Sequence, residues 1–438
     1  MTLTLAPQQS PDQESEALIR EARRLQRRRW RLRAALVIAV ILVAAGLVIA
    51  GQGGGSPRSH PSPRLPNLPS QRRVSGPSLG SATSYQLTGP MGVAVDSGGD
   101  VYFTDGSRVY EVEQSTGLLR VVAGTGVQGY SGDGGPASRA RLTSPTGIAV
   151  APNGDVYFVD GNRIRKVSAA SGIISTVAGD GHPAPTGNVP SGPIGNGGPA
   201  VRASLDFNSP GTGSGGLSNI LAIGPGGDLY IADIGYNEVQ KVSPTTGIIT
   251  RVTGSGHHCA SDDGICFATV PSCEPVGVAV DRSSDVLVPT TCGTVRKVSG
   301  TTGAISTIFS TRQSPALAGT GGELDPVSLA VLDNQTLQVA TAYGDRLLEI
   351  NLRSGRVTLV AGTGAETLPE PHQTAGDGGP ATKATFGLVA AVAIDRQGDT
   401  YVADYFNDAI RRIDAHSGVI TTVAGVIPTS PEQQGHCC

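Results

Sequence analysis

Residues 145–179 read PTGIAVAPNGDVYFVDGNRIRKVSAASGIISTVAG, and this stretch decides the fold class. It holds four short apolar runs, Gly147–Val150, Asp155–Val159, Arg163–Val167 and Ile173–Val177. The breaks between them are Pro-Asn-Gly, Gly-Asn and Ser-Gly, residue types that permit a positive φ or form tight reversals. Alternating apolar side chains favour strands over helices. The stretch therefore predicts a four-stranded antiparallel sheet, with strands half buried between neighbouring sheets.

Five further stretches of the chain align with this unit. They begin at residues 90, 218, 275, 326 and 389, and every copy has a glycine before its last strand. These glycines are Gly117, Gly172, Gly247, Gly303, Gly355 and Gly418. Their spacing varies from 52 to 75 residues while the unit itself stays near 35, so the variable parts are loops. Six such sheets repeated radially predict an all-β fold, a six-bladed β-propeller of four-stranded blades over residues 85–425, followed by a tail, 426–438.

The repeats resemble NHL repeats. The resemblance rests on GIAVAPNGDVYFVD, RIRKV and GIISTVAG, and on the phrase GTGVQGYSGDGGPASRARL at 124–142, which returns as GNGGPAVRASL at 195–205 and AGDGGPATKATF at 375–386. It implies the propeller fold and membership of a family that includes extracellular binding modules, receptor sensor domains and adhesion receptors. It leaves two ways of closing the ring, either a strand borrowed from residues near Ser84–Leu87 or packing of blade against blade.

Composition excludes several classes of protein. Gly and Pro total about a fifth of the chain without a collagen period, and apolar residues are too plentiful for a disordered protein. The net charge of −3 hides a tail of +8 in residues 1–84 and a propeller of −11. An acidic domain without basic clusters argues against nucleic-acid binding. Arginine outnumbers lysine by 29 to 4, which indicates a bacterial source with a GC-rich genome.

The N-terminus predicts membrane attachment. Residues 34–51 form an uncharged apolar segment long enough for one transmembrane helix, after an arginine-rich tail, 1–33, that should stay in the cytoplasm. Residues 52–84 read as a disordered Pro/Ser/Gly linker. We expect a single-pass signal anchor with the propeller outside the cytoplasm. The alternative is a signal peptide cleaved after Ala50, which would release a secreted propeller.

Four aspartates end the second strand of their blades: Asp105, Asp160, Asp233 and Asp404. Their recurrence predicts a structural blade-turn role, in which the carboxylate accepts backbone N–H groups of the next turn. The alternative is a metal or substrate site lined by adjacent blades, and Asp133 and Asp377 of the glycine-rich joints could contact a cation. Thr290 and Thr341 replace the aspartate in blades 4 and 5.

Six cysteines fall into two groups. We predict disulfides Cys259–Cys266 and Cys273–Cys292, which would staple the insert before blade 4 in an oxidising compartment. Other pairings remain open, as does zinc binding with the neighbouring His257-His258. The second group, Cys437-Cys438, predicts cross-linking to another chain or a strained internal pair.

The function expected from these observations is that of a non-catalytic binding or scaffold module. Its ligand would be a protein, peptide or polysaccharide, bound by inserts at 180–216, 255–274, 310–325 and 363–376 that emerge on one face. No catalytic, metal-binding or cofactor-binding residue is assigned, because no histidine begins or ends an inner strand. The alternatives are a metal-dependent hydrolase or lyase that uses the central channel, and a structural spacer that oligomerises.

Overall fold

The computed structural model describes residues 76, 78–182, 195–207, 220–254, 274–291, 293–310, 326–341, 346–363 and 376–426. These residues form six antiparallel sheets, which are the six blades of a propeller. The predicted all-β, six-bladed fold with four-stranded blades is confirmed. The predicted transmembrane helix, most of the predicted linker, residues 427–438 of the predicted tail and all six cysteines lie outside the described residues. The predicted linker is wrong at its end, because residues 78–84 form a strand and a 3-10 turn that belong to the propeller.

In blades 2 and 3 the strands follow in chain order from the inner to the outer strand, whereas in blade 1 the first strand of the chain lies outside the outermost of four consecutive strands. Blade 1 consists of β1 (Ser78–Ser81), β2 (Val93–Val95), β3 (Val101–Asp105), β4 (Arg108–Glu113) and β5 (Leu118–Ala123). Blade 2 consists of β6 (Pro145–Val150), β7 (Val156–Asp160), β8 (Ile164–Val167) and β9 (Ile174–Ala178). Blade 3 consists of β10 (Leu221–Ile223), β11 (Leu229–Asp233), β12 (Glu238–Val242) and β13 (Ile249–Gly254).

Blades 4 to 6 repeat the same order from the inner to the outer strand. Blade 4 consists of β14 (Ala279–Val280), β15 (Val286–Thr290), β16 (Thr294–Val298) and β17 (Ile305–Ser310). Blade 5 consists of β18 (Pro326–Asp333), β19 (Thr336–Thr341), β20 (Leu347–Asn351) and β21 (Val357–Ala361). Blade 6 consists of β22 (Val389–Ile394), β23 (Thr400–Asp404), β24 (Ala409–Ile413) and β25 (Ile420–Ala424). Short 3-10 turns occupy Ala82–Ser84, Ala137–Arg139, Ala200–Arg202, Ala381–Lys383 and Tyr405–Asn407.

The second strand of a blade is more buried than the alternating sequence pattern indicated. Strands β3, β11, β15 and β23 are buried at every residue, because both faces of these strands contact a neighbouring blade. In blade 2, Val156 and Phe158 have no exposed surface. The apolar core therefore lies between the blades, in clusters that each draw on adjacent sheets.

The repeated glycine gives every blade the same last hairpin. Its φ lies between 66° and 70° in all six copies, a left-handed conformation that L side chains rarely adopt. In each copy the glycine N–H donates to the carbonyl oxygen four residues earlier, as Gly172 does to Ser168 at 2.7 Å. The predicted turn role of these glycines follows directly from this geometry.

Ring closure uses neither of the two predicted arrangements alone. Strand β1 pairs with β5 of its own blade, and blade 6 keeps four strands of its own. The carbonyl of Ala82 instead accepts the N–H of Gly425 at 3.1 Å. The same bond joins Gly124 to Ala137 and Gly179 to Ala200 between consecutive blades. Residues Ala82–Ser84 thus make the backbone contact between blades 6 and 1 that the GGPA segments make between other consecutive blades.

The two faces of the disc differ in what they carry. We call the face on which the six inner strands begin the joint face, since the joints between blades arrive there. The hairpins between second and third strands also lie there, because neighbouring strands in a blade are antiparallel. The turn face is the opposite one, where the inner strands end at Val95, Val150, Ile223, Val280, Asp333 and Ile394.

Candidate functional site

The four aspartates predicted at the blade turns lie on the joint face and are buried. Each accepts a backbone N–H from the segment that leads into its own blade. The donors are Thr88 to Asp105 (2.9 Å), Thr143 to Asp160 (2.6 Å), Asp206 to Asp233 (3.2 Å) and Gly387 to Asp404 (2.7 Å). The sequence predicted donors in the turn that follows the strand. The N–H of Tyr236, 3.3 Å from Asp233 Oδ1, is such a donor. Through these hydrogen bonds the carboxylates link the segment that leads into each blade to the end of that blade's second strand.

Blade 2 adds a buried arginine to this arrangement. Arg165 has no exposed surface, and its Nη1 donates to Asp160 Oδ2 at 3.1 Å. Its Nη2 donates to Asp133 Oδ1 at 2.6 Å, so the joint carboxylate pairs with a guanidinium of the protein. Tyr130 covers the pair, with its ring 4.8 Å from the Arg165 guanidinium carbon. Burial raises the pKa of Asp160, while Thr143 N–H and Arg165 oppose the rise.

Blade 6 repeats this network with other residues around it. Arg411 donates to Asp377 Oδ1 at 2.6 Å, and its Nη1 lies 3.5 Å from Asp404 Oδ2. Complete burial raises the pKa of Asp404 to about 6, although Asn407 and Arg411 oppose the rise. Asp133 and Asp377, for which the sequence left a cation contact open, thus both pair with buried arginines. A joint carboxylate, a guanidinium and a strand-end carboxylate form one unit.

Blade 3 keeps the strand-end Asp233 and lacks the arginine. Gln240 stands at the register position of Arg165, and Glu238 lies directly opposite Asp233 on the neighbouring strand. All three side chains are fully buried. Burial raises the pKa of Asp233 well above its usual value, and the nearby Glu238 and Asp206 carboxylates raise it further. Blade 3 therefore places Glu238 opposite Asp233, where blade 2 pairs Asp160 with Arg165.

The central channel has a cavity of about 270 Å³ at the turn face. It is lined by the ends of five inner strands and the residues that follow them. Its charged residues are Asp96, Asp281, Asp333, Asp395, Arg282 and Arg396. The carboxylates also shape their own turns, since Asp96 Oδ1 accepts the N–H of Gly98 at 2.7 Å and of Asp100 at 3.0 Å.

Two carboxylates of the channel, Asp96 and Asp395, have raised pKa values. Burial raises the pKa of Asp96, and the Asp100 carboxylate adds to the rise. Burial likewise raises the pKa of Asp395, with Asp399 adding to it. Sequence reasoning missed this acidic ring, although its signal was present as an aspartate directly after the inner strand in blades 1, 4 and 6.

A second recurring aspartate was also missed. An Asp that directly precedes the second strand accepts a hydrogen bond from the last hairpin of its blade in blades 2 and 6. Asp155 Oδ1 accepts the N–H of Ala169 at 2.9 Å, and Asp399 accepts that of Ala415 at 2.8 Å. Lys166 and Arg412 neutralise these two carboxylates from the third strand. The repeat thus uses aspartates at both ends of its second strand as hydrogen-bond acceptors.

Several predicted features have no described counterpart. The disulfides Cys259–Cys266 and Cys273–Cys292 stay predictions, as does an oligomer through Cys437 and Cys438. Within the described ranges, no three His, Cys, Asp or Glu side chains are grouped as a metal centre. The same part of the chain holds no helix long and apolar enough to cross a membrane.

Comparison with known proteins places the chain in a family. The family model of the Teneurin NHL domain matches residues 119–190 and 248–437, more than half of the chain. The chain belongs to the Teneurin NHL domain family. The predicted NHL-repeat, six-bladed propeller is therefore confirmed, whereas a bacterial source and membrane anchoring stay predictions.

The relatives of this Teneurin NHL family member are much longer proteins. Teneurin-3 of Mus musculus is 45% identical over 95 residues, which cover 18% of this chain and 4% of that protein. Teneurin-1 of Mus musculus is 26% identical over 329 residues, which cover 72% of this chain and 10% of that protein. The chain thus spans a tenth or less of the length of these relatives.

Solved structures resemble the chain more distantly. Virginiamycin B lyase from Staphylococcus aureus is 14% identical with a TM-score of 0.41, over 78% of this chain and 86% of that one. A protein from Bacteroides thetaiotaomicron is 14% identical with a TM-score of 0.47, over 78% and 74% of the two chains.

Proposed function

We propose that the chain is a non-catalytic binding scaffold outside the cytoplasm that recognises a protein, peptide or glycan through its joint face. Residues 34–51 would hold it at the cell membrane with the N-terminus inside. The apolar length of this segment and the arginines before it support the tether and its orientation. Membership of the Teneurin NHL domain family supports a scaffold function in general.

The observation that carries the binding face is the position of the long connections. Every long connection leaves an outer strand and enters the next inner strand, as between Ala178 and Leu221, or between Ala361 and Val389. By contrast, five residues separate the inner from the second strand in blades 1, 2, 3, 4 and 6. Long loops on a rigid scaffold are where binding residues are commonly found. The joint face therefore carries far longer connections than the turn face.

An exposed aromatic side chain lies on the same face. Phe406 sits in the joint-face hairpin of blade 6, is 44% exposed and contacts Tyr405 edge-on at 5.0 Å between ring centroids. Aromatic residues are enriched among the residues that dominate binding energies. Phe406 is therefore the described residue that we expect at the centre of the binding surface.

Site-specific photo-crosslinking of the full chain in its own cells tests the choice of face. The crosslinking residue replaces Phe406 or Gly106 on the joint face, and Arg282 or Arg396 on the turn face as matched exposed controls. We expect a discrete adduct from the joint-face positions and none from the controls. Adducts from the turn-face positions alone, or from no position, would overturn the proposal.

Membrane attachment is tested separately on the same cells. N-terminal sequencing of the mature chain distinguishes an uncleaved anchor from a start after Ala50. External protease should digest the propeller of intact cells if it is exported. A mature chain that begins at residue 51 would overturn the tether and leave the choice of binding face intact.

A further inference from the structure

The mouth of the central channel on the turn face differs in chemistry from one side to the other. Its carboxylates come from four consecutive blades of the ring, blades 4, 5, 6 and 1, as Asp281, Asp333, Asp395 and Asp96. Blade 2, which lies across the ring from blade 5, presents Ala151 directly after its inner strand. The cavity of about 270 Å³ therefore has an acidic arc on one side and an apolar wall on the other.

Apolar side chains at the ends of the inner strands also line this cavity. Five blades contribute one each, namely Val95, Val150, Val280, Val331 and Ile394. All five are partly exposed, unlike the fully buried residues of the second strands, so part of each side chain faces the channel. Small-molecule sites are commonly lined in this way, by apolar side chains with a few polar groups that fix the orientation of the ligand. The cavity thus favours a ligand with an apolar body.

Two carboxylates of the acidic arc are almost completely buried although they line the cavity. Asp281 is 5% exposed and Asp395 is 8% exposed. Oδ1 of Asp281 accepts the N–H groups of Ser283 at 2.8 Å and Asp285 at 2.9 Å, which fixes the side chain. Within the described ranges its Oδ2 has no hydrogen-bond partner and is not sealed inside the protein, so this oxygen faces the cavity. A carboxylate that is held in place before binding accepts a ligand at little further cost in ordering.

The net charge of the cavity lining favours a cation. Four carboxylates stand against the two guanidinium groups of Arg282 and Arg396, both of which are exposed, so the lining carries −2. A cleft lined mainly by one sign of charge raises the local concentration of the opposite ion. In the part of the chain that the structure describes, no three acidic, imidazole or thiol side chains converge closely enough to hold a metal ion. The spacing of the carboxylates therefore suits a larger cation with an apolar part.

We propose that the turn-face cavity binds a small organic cation, a primary amine on a compact apolar body. The ammonium group has three N–H donors and lies against the carboxylates of Asp281, Asp333 and Asp395, while the body packs on the apolar wall towards Ala151. A cavity of about 150 Å³ is enough for benzene, so this cavity accommodates about ten non-hydrogen atoms. The site lies on the face opposite the proposed macromolecular binding surface and stands independently of it.

Isothermal titration calorimetry of the full chain with hexylamine provides the first measurement. We expect one saturable site with a dissociation constant of about 1 mM or below, as befits a ligand of this size. Hexanol has the same apolar body without the charge, and methylamine has the charge without the body. Each should bind about tenfold more weakly or worse, because the site uses both parts of the ligand.

Charge variants locate the site on the acidic arc. Asp281→Asn keeps an oxygen for the turn and removes the charge, so hexylamine affinity should fall about fivefold or more. Arg282→Gln removes a like charge and should raise the affinity. Asp414→Asn is the matched control, because Asp414 Oδ1 likewise accepts two N–H groups, those of His416 at 3.1 Å and Ser417 at 2.8 Å, in the outer hairpin of blade 6. The control should bind hexylamine as the wild type does.

The proposal is overturned if hexylamine shows no saturable site, if hexanol binds as tightly, or if Asp281→Asn weakens binding no more than Asp414→Asn does. Leucine is a zwitterion of similar size, and a tighter binding of leucine that Arg282→Gln weakens would overturn the proposal in favour of an amino acid. Displacement of hexylamine by an equimolar amount of calcium would overturn it in favour of a metal ion. Should Asp281→Asn fail to fold, Asp333→Asn replaces it at an exposed carboxylate of the same arc. Its affinity should also fall, and an unchanged value would equally overturn the site.

Discussion

Blades 2 and 5 build the same four-stranded unit with opposite chemistry at its centre. Blade 2 buries Arg165 between Asp160 and Asp133. Blade 5 has Thr341 in place of Asp160, and the buried Leu348 in place of Arg165. A buried ion pair and a well-packed apolar side chain are often equivalent in stability, whereas half of a pair is costly. The fold therefore accepts either a complete ion pair or a well-packed apolar side chain at this position.

The interface between blades 5 and 6 replaces charge with neutral hydrogen bonds. Ser328 Oγ, fully buried, accepts the N–H of Val392 at 3.0 Å. Thr400 Oγ1 donates to Gln338 Oε1 at 2.7 Å. Polar groups of different kinds thus fix the register of neighbouring blades at different points of the ring.

Arg165→Leu should have the largest effect, since it leaves the buried Asp160 and the partly exposed Asp133 without their cation. We expect a loss of about 3–5 kcal/mol in the free energy of unfolding. Chemical denaturation of the full chain measures it. The triple variant Asp133→Asn, Asp160→Thr, Arg165→Leu removes both carboxylates together with the cation, with Thr and Leu taken from blade 5, and should lose less than half as much. An equal loss in both would show that blade 2 depends on the ions themselves.

Asp404→Asn should change the pH dependence of stability. The folded pKa of Asp404, about 6, lies above the usual value of about 3.9, so its protonated form is favoured by folding. Its contribution is fully present below about pH 4 and is lost as the pH rises through 6. The variant should therefore remove about 2–3 kcal/mol of the decline between pH 4 and 7. Denaturation of both chains across this range measures the difference, and an identical decline would contradict it.

Ser328→Ala should have a smaller effect, because it removes the buried hydroxyl that accepts the N–H of Val392. We expect a loss of about 1–3 kcal/mol. Denaturation of the full chain provides the measurement, and Ser354→Ala in an exposed turn of blade 5 is the control. A loss no greater than that of the control would contradict the role of Ser328.

Gly172→Ala and Gly355→Ala should have the smallest effects, and equal ones. Both glycines have φ 68°, and a methyl group added at either position would meet no atom within 4 Å. The cost is then the backbone strain alone, about 1–2 kcal/mol at each site. Thermal or chemical unfolding of the two variants should give matching losses. Unequal losses would show that the hairpins of blades 2 and 5 differ in more than sequence.

Much of the candidate site was beyond sequence reasoning for a physical reason. The recurrence of Asp105, Asp160, Asp233 and Asp404 indicated a shared role, because identical residues at one register position occupy similar surroundings. Their partners were hidden, since Arg165 meets Asp133 from 32 residues away and Arg411 meets Asp377 from 34. The acidic ring of the channel could not be predicted from the sequence either, because its members belong to different blades.

The sequence by itself determined the number of blades and the strands within each. Those features depend on local physics, namely alternating apolar residues and glycines such as Gly172 that allow a positive φ at the turns. Only the tertiary structure decided how the ring closes, through the carbonyl of Ala82 on Gly425, and which carboxylates Arg165 and Arg411 contact. Both depend on atoms brought together from distant parts of the chain, and a local sequence pattern does not show which distant residues will be in contact.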